Sequence, residues 1–484
     1  MLLQRVKPLE RLLAESDETK PNSLRKSLGA VSLMAMGIGA IIGTGIFVLT
    51  GVAAATRSGP SLTISFIVAG IVSAFAALCY SEVASRVPIA GSAYTFAYAS
   101  LGEFVAWIIG WDLVLEYALG AATVSIGWSG YFSAFLKNVF HFEIPLSLQH
   151  NHWDVGPTGD PIHGFMNLPA FCIILLIGAL LYRGTRESAL VNNIIVLLKI
   201  VVVLFFIVLG AGHVNPGNWT PYFPFGITGM LGGAAFIFFA YIGFDAVSTA
   251  AEETKNPARD LPIGIIGSLA VCTVLYIIVV AILTGMVPYT QLNVPSPVAF
   301  AMDHVGLGWA SAIISIGAIC GLTTVLLVMM FGQTRVFFAM SRDGLLPPVF
   351  SRVHPKFRTP GVSTIIFTIF IAIIAAFTPI GIVGSLTNMG TLAAFILVSI
   401  SLPILRKRYP NTRGFSVPFG PYVVPVISAV TAFGLMLSLA FGSPTVIGIP
   451  LPWLGFVVWL IVGMFIYYGY SRSHSTVGVD EAAL

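Results

Sequence analysis

Hydrophobic residues fall in long blocks of about 20, separated by short polar segments. A helix needs about 20 apolar residues to cross a bilayer, whereas a β-barrel strand shows alternation over about ten. The pattern therefore predicts an all-α polytopic membrane protein with about twelve transmembrane helices. They are placed near residues 28–55, 61–85, 94–136, 167–182, 188–211, 226–251, 261–286, 308–340, 361–378, 383–405, 421–441 and 450–470. The third and eighth blocks exceed one crossing, which indicates tilt or an added interfacial segment.

The composition excludes several classes of protein. Only 9% of the residues are charged and the mean hydropathy is +0.92, whereas soluble proteins are roughly 25% charged. The net charge of +4 is too small and too scattered for a nucleic-acid partner. No histidine lies within a predicted span, and the four histidines of the 137–166 loop lack regular ligand spacing. We therefore expect neither a cofactor nor a metal, and no membrane-embedded enzyme.

The positive charges predict the orientation. With the N-terminus inside, nearly all of the 24 Lys and Arg residues fall on cytoplasmic segments, as the positive-inside rule requires. The N-terminal segment 1–27 and the C-terminal tail 471–484 are then both cytoplasmic, and the chain is placed in the plasma membrane.

Two spans look broken. The first contains GIGAIIGTGIF at 37–47, with four glycines within nine residues and the polar Thr44 among them. Glycine permits unwound backbone, which is tolerated at membrane depth only where it lines a cavity or is buried in protein. Close helix packing is the alternative for this segment. The sixth span carries Gly243 and, two residues later, Asp245, a charge that is costly at this depth.

The two broken spans occupy matching positions if residues 28–211 and 226–405 are five-helix repeats, with 421–470 as two additional helices. The first span starts inside and the sixth starts outside, so the repeats are inverted. Interrupted spans in matching positions point to a transporter binding site. Half-helix N-termini suit a carboxylate and freed carbonyls suit an ammonium group, and together they fit an α-amino acid.

Four motifs carry a family resemblance: GIGAIIGTGIF at 37–47, VPIAGSAY at 87–94, FIFFAYIGFDAVSTAAEETKNPARDLP at 236–262 and GQTRVFFAMSRDGLLP at 332–347. With them the chain resembles the amino acid–polyamine–organocation (APC) superfamily transporters, most of all the cationic amino acid transporter branch and its bacterial relatives. The resemblance implies an inverted five-plus-five, LeuT-like core with substrate between spans one, three, six and eight.

By this resemblance, the substrate carboxylate meets Ile41, Ile42, Gly43, Thr44 and Gly45. The ammonium group meets the carbonyls of Phe239, Ala240 and Ile242. The Phe239 ring closes the pocket as a gate, and an ordinary apolar core residue is its alternative role. Met329 points into the side-chain end of the pocket, where its bulk disfavours a long cationic tail.

Three ionisable residues of the spans are candidates for coupling. Glu116, aligned beside the pocket, is a proton carrier, a counter-ion for a cationic substrate, or a structural hydrogen-bond partner. By the same resemblance, Lys199 takes the place that Na⁺ occupies in sodium-coupled relatives, which implies proton coupling. Its alternative role is a permanently charged strut that locks spans one, five and eight. Asp245 serves coupling or caps the broken sixth helix, since Asp readily accepts from free backbone N–H groups.

The sequence thus predicts a secondary active, proton-coupled L-amino acid transporter for small neutral and, if Met329 yields, cationic amino acids, working by alternating access. An exchanger or uniporter of cationic amino acids is the alternative within the class. An amino-acid sensor on a transporter fold is the alternative from another class. The expected partners are the amino acid, the proton and the lipid bilayer. An accessory single-span subunit is not readable from the chain.

Overall fold

The computed structural model describes residues 5–8, 28–88, 92–154, 160, 162–184, 189–410, 412 and 414–477. Eight helical runs are long and apolar enough to cross a membrane, and three shorter apolar helices join them. The first run, Ala30–Arg86, has 57 residues, which is too long for one crossing. It reverses at Gly59, whose φ is +61°, so the described chain supplies twelve spans. The prediction of an all-α polytopic membrane protein is confirmed.

The first repeat region holds spans one to five. Span one comprises Ala30–Ile41, the wide π-turn Gly45–Leu49, Thr50–Ala53 and a second π-turn Ala54–Ser58, and span two is Leu62–Arg86 after the 3-10 turn Gly59–Ser61. Span three comprises Glu103–Val114, the π-turn Leu115–Leu119 and Gly120–Phe140; span four is Leu168–Arg183 and span five is Ala189–Ala211. Short helices lie at Ser92–Ser100 and Leu146–Gln149.

Spans six to ten follow. Span six comprises Gly226–Ile237 and the 3-10 segments Phe238–Tyr241 and Asp245–Glu253. Spans seven to ten are Pro257–Met286, Gly308–Arg342, Gly361–Phe377 and Ile380–Arg408. The connections contain helical turns at Pro216–Trp219, Tyr289–Gln291, Pro297–His304 and Pro348–Ser351.

Span eleven is Val423–Ser438, and span twelve comprises Leu451–Ile466, the π-turn Tyr467–Ser471 and Arg472–His474. Two short antiparallel strands, Thr445–Val446 and Ile449–Pro450, form a hairpin between them. Both spans lie outside the predicted repeats.

The two overlong blocks of the sequence have different explanations. The third block holds a separate helix, Ser92–Ser100, which ends before Gly102, where φ is +95°. The eighth block is one uninterrupted helix, Gly308–Arg342, of 35 residues. The third block therefore contains the added segment, and the eighth is a long single helix.

Spans one and six lie antiparallel at the centre. Ala54–Ser58, at the end of span one, packs against Gly226–Ile237, the start of span six, whereas Ala30–Ile41 packs against Asp245–Glu253. The midpoints of the two spans are therefore neighbours. This arrangement has the opposed directions that an inverted repeat requires, and the repeat boundaries themselves stay a prediction.

A buried ion cluster joins span two to span ten. The Glu82 carboxylate, 0% exposed, accepts from Arg86 Nε at 2.8 Å and from Arg406 Nη2 at 2.5 Å. It also accepts from the backbone N–H of Val417, at 2.7 Å. Glu82 therefore fastens the connection between spans ten and eleven to the end of span two, as a structural carboxylate does.

Replacing Glu82 tests this anchor. Glu82→Gln leaves two partly buried guanidinium groups without their carboxylate, and we expect it to lower the free energy of unfolding by about 1.5–3 kcal/mol. The control is Glu143→Gln, since Glu143 pairs with Lys137 at 2.8 Å on the exposed surface, where a pair contributes about 0–1 kcal/mol. Thermal unfolding in detergent measures both, and equal shifts would contradict the assignment.

Candidate functional site

Span one is interrupted where the sequence predicts. The inner half ends with the hydrogen bond from Ile42 N–H to the Ile38 carbonyl, at 2.9 Å. Ile42 is extended, with ψ of 101°, and the outer half begins after Thr44. The carbonyls of Gly39, Ala40 and Ile41 therefore lose the N–H partners that a continuous helix would supply four residues later.

Groups from other spans compensate these carbonyls. Lys199 Nζ on span five donates to the Gly39 carbonyl at 2.6 Å, and the Tyr276 hydroxyl on span seven donates to that of Ile41 at 2.8 Å. The Ala40 carbonyl faces Gly243, where a Cβ would lie 2.9 Å from the oxygen. The break in span one is thus held by spans five, six and seven.

The other side of this break presents donors. Within the part of the chain that the structure describes, the N–H groups of Gly43 and Thr44 make no hydrogen bond to protein groups, and the Thr44 hydroxyl also has no partner. Both residues are buried. Free N–H groups at the N-terminus of a helical segment attract anions, so the break can accept a carboxylate.

Span six is interrupted at the same depth. After the 3-10 turn Phe238–Tyr241, Ile242 is extended and Gly243 has φ of +122°, a conformation that favours glycine. Asp245 Oδ1 accepts from the Gly243 N–H at 3.2 Å, two residues before it, whereas a helix cap accepts from N–H groups that follow it. The Phe239 carbonyl accepts from the Ile242 N–H at 3.2 Å, whereas among the described groups the Ile242 carbonyl accepts none.

The two breaks touch. A Cβ built on Gly45 would lie 2.2 Å from Ala240 Cα, so only a glycine lets the outer half of span one meet the turn of span six. Unpaired N–H groups of span one and an unpaired carbonyl of span six therefore belong to one junction.

A small cavity opens beside this junction. It measures about 20 Å³, which is room for about one water molecule. Its lining residues are Ala40, Glu116, Tyr117, Ile242, Gly243, Asp245, Ala246, Val325, Val328 and Met329. The structure thus brings together four predicted site residues from spans three, six and eight, namely Glu116, Ile242, Asp245 and Met329. Residues 41–45, Phe239, Ala240 and Lys199 do not line this cavity.

Glu116 lies on an irregular turn of span three. It belongs to the π-turn Leu115–Leu119, a feature frequent at functional sites. Its side chain is 2% exposed, and Oε1 has no hydrogen-bond partner within the described structure. Asp245 lines the same cavity, and a buried carboxylate is costly unless a partner or a proton compensates it, so Glu116 can meet a cation or hold a proton.

Lys199 connects three spans. Its side chain is 1% exposed, and its stem lies against Gly321 of span eight, where a Cβ would approach Cε and Cγ at 3.1 Å. Thr323 and Thr324 donate their hydroxyl hydrogens to carbonyls of their own helix, at 2.7 and 2.8 Å. The ammonium group therefore lies between spans one and eight, a position that both sequence hypotheses for Lys199 require.

Sequence reasoning missed Tyr276 and Tyr117. Tyrosine is common in apolar blocks, and neither residue belongs to the part of a motif that was assigned a role. Their contacts join residues far apart in the chain, so periodicity carried no signal for them.

Comparison with known proteins identifies the family. Residues 28–466 match the family model described as amino acid permease. The chain belongs to the amino acid permease family. The resemblance to APC transporters is confirmed, and the protein is a membrane transporter, not an enzyme.

Several relatives of this amino acid permease are similar over most of their length. The methylthioribose transporter of Bacillus subtilis (strain 168) is 50% identical over 98% of this chain and 98% of its own. The branched-chain amino acid permease BcaP of the same organism is 50% identical over 97% of this chain and 98% of its own. The vacuolar cationic amino acid transporter 4 of Arabidopsis thaliana is 39% identical over 81% of this chain and 65% of its own.

A methyl group at Gly45 tests the junction. We expect Gly45→Ala to force spans one and six apart and to destabilise the permease by about 1–3 kcal/mol, the usual cost of overpacking. Gly384→Ala is the matched control, because its Cβ would lie 3.6 Å from Thr123 Cγ2, an ordinary contact. Thermal unfolding of both variants measures the difference, and a Gly45→Ala protein as stable as the control would refute the close contact.

Proposed function

We propose that this permease is a secondary active, proton-coupled transporter of neutral L-amino acids that works by alternating access. The observation that carries the proposal is the junction of the two breaks. The unpaired N–H groups of Gly43 and Thr44 match a carboxylate, and the unpaired carbonyl of Ile242 matches an ammonium group. An α-amino acid carries both charges close together, whatever its side chain.

The cavity walls favour an uncharged side chain. Tyr117, Val325, Val328 and Met329 supply the wall beside the junction, and Gly120 leaves room for Met329, since a Cβ there would lie 3.1 Å from Sδ. A long cationic tail has to displace Met329. The relative named for branched-chain amino acids supports the same choice.

A cationic substrate is the second candidate. Two carboxylates, Glu116 and Asp245, line the cavity and are available as counter-ions. Relatives named cationic amino acid transporters favour this candidate. Asp245 already accepts from Gly243 N–H, so Glu116, with its unpartnered Oε1, is the stronger counter-ion.

Coupling is assigned to Lys199 and Glu116. The Lys199 ammonium occupies a carbonyl exposed by the break in span one, so loss of its proton changes the contact that holds this break. The fixed positive charge also repels Na⁺. The alternative, a strut that never loses its proton, keeps the same contact throughout the cycle.

Transport requires movement, because the cavity of about 20 Å³ is too small for an amino acid. In the proposed cycle Phe239 closes over the substrate, and spans one, two, six and seven rock against the remaining spans. The permease lies in the plasma membrane with both termini cytoplasmic. Copurification tests whether an accessory single-span subunit binds the permease.

Uptake into proteoliposomes tests the proposal. We expect an inward proton gradient to stimulate uptake of labelled alanine and leucine, with competition by neutral amino acids and little by arginine. Equal competition by arginine would make the cationic candidate correct, with Glu116 as counter-ion. Competition by methylthioribose alone would reject the amino-acid assignment, and saturable binding without uptake would establish a sensor.

Lys199→Met separates the two roles of the lysine. If its proton couples transport, the variant keeps measurable uptake but loses the dependence of uptake on external pH. Lys137→Met, in an exposed pair, is the control and should keep the wild-type pH profile. An unchanged profile in Lys199→Met would leave the lysine as a strut.

A further inference from the structure

Span six changes pitch just before Phe239. Its α-helical part ends with the bond from the Phe238 N–H to the Ala234 carbonyl, and a 3-10 turn follows over Phe238–Tyr241. In a 3-10 turn each N–H bonds to the carbonyl three residues back rather than four. By this rule the Phe239 N–H moves from the Ala235 carbonyl to that of Phe236, so the Ala235 carbonyl loses the partner that a continuous α-helix would give it.

One side chain of span ten satisfies both carbonyls. Asn388 Nδ2 donates to the Ala235 carbonyl and to the Phe236 carbonyl, each at 2.8 Å. Asn388 is 0% exposed. Its two amide hydrogens serve two adjacent carbonyls at the change of pitch, and one of them is the Ala235 carbonyl that this change releases.

The orientation of this amide follows from its neighbours. Rotating it by 180° would place an oxygen against two carbonyl oxygens, which repel it, so the nitrogen faces span six. The consequence is that Asn388 Oδ1 has no partner within the described structure. A buried amide oxygen without a hydrogen bond costs free energy, and the orientation that bonds span six therefore leaves Oδ1 without a partner.

Span five likewise supplies a side-chain donor to a released backbone carbonyl of span one. Lys199 of span five donates to the Gly39 carbonyl, which the break in span one exposes. In each predicted repeat, therefore, the fifth helix supplies an N–H donor to carbonyls released in the broken first helix. The donors differ in one respect: an ammonium group can lose its proton, and the amide of Asn388 does not titrate.

We infer that Asn388 is a positioning residue that holds the irregular turn of span six and thereby the gate ring of Phe239 and the carbonyl of Ile242. This inference rests on the proposed function for the roles of Phe239 and Ile242. Asn388 sets substrate affinity and leaves proton coupling to Lys199. The two donors have separate effects, which an experiment can distinguish.

The first test is independent of substrate. Asn388→Leu keeps a similar side-chain volume and removes both donors. We expect hydrogen–deuterium exchange of the segment 236–245 to accelerate about tenfold in the substrate-free protein, because two buried carbonyls lose their partners. Ser399→Ala is the matched control on the same helix, since its hydroxyl bonds Ser428 of span eleven at 2.8 Å and does not reach span six. Unchanged exchange in Asn388→Leu, or an equal rise in Ser399→Ala, would overturn the inference.

The second test measures transport. In Asn388→Leu we expect the half-saturating concentration of the transported amino acid to rise about tenfold, with the pH profile of uptake unchanged. Asn388→Gln keeps both amide hydrogens and should fall closer to the wild type. A Leu variant with the wild-type half-saturating concentration, or with an altered pH profile, would contradict the assignment.

Two further outcomes are separable. If Asn388→Leu does not fold, Asn388→Ser replaces it. Because serine has a single hydroxyl donor, we expect the exchange rate and the half-saturating concentration to rise less, by about threefold. No rise in either would overturn the inference. If the wild type transports no amino acid, the proposed function fails. The exchange measurement then still decides whether Asn388 holds the turn of span six.

Discussion

The structure depends on hydrogen bonds for backbone groups that two helices release inside the membrane. The bilayer core offers no water to an exposed N–H or carbonyl, so unwound backbone persists there only where the protein supplies partners. Lys199 and Tyr276 do this for span one, and Asn388 and Asp245 do it for span six. The backbone N–H groups and carbonyls that these side chains do not bond are the groups available to bind a substrate. The positions of spans five, seven and ten are therefore tied to the site as firmly as those of the broken spans themselves.

The sequence allowed the spans and the breaks to be predicted because both are local properties. The length of each apolar block matches the bilayer thickness, and the glycines of 37–45 and Gly243 indicate where the backbone is not helical. The π-turn around Glu116 had no such signal, since its residues are ordinary for a helix. Asn388 also escaped detection, because its partners lie 152 and 153 positions away in the chain. A contact of this range is decided by tertiary packing, which no window of sequence contains.

Contacts at three heights tie span ten to span six, one of the two broken helices, and to span two. Asn388 bonds span six, the Phe395 ring packs against Tyr80 of span two and Phe244 of span six with centroids 5.3 and 5.1 Å apart, and Arg406 pairs with Glu82. Span three also approaches span ten closely, since a Cβ on Gly390 would lie 2.8 Å from Leu115 Cβ. If spans one, two, six and seven rock as a bundle, these bonds oblige span ten to follow or to break a buried ion cluster on every cycle.

The choice of donor at the two breaks is the physical reason to connect Lys199 with coupling. Burying an ammonium group costs several kcal/mol even when it is paired, and within the described residues Lys199 donates to one neutral carbonyl, that of Gly39. A neutral amide satisfies a released carbonyl without that cost, as Asn388 does for two carbonyls at once. A helix break that needed only to be held would be served better by an amide at both positions. The property that distinguishes the ammonium group in span five from an amide is the proton that it can give up, and this difference is the reason for the proposal that Lys199 takes part in coupling.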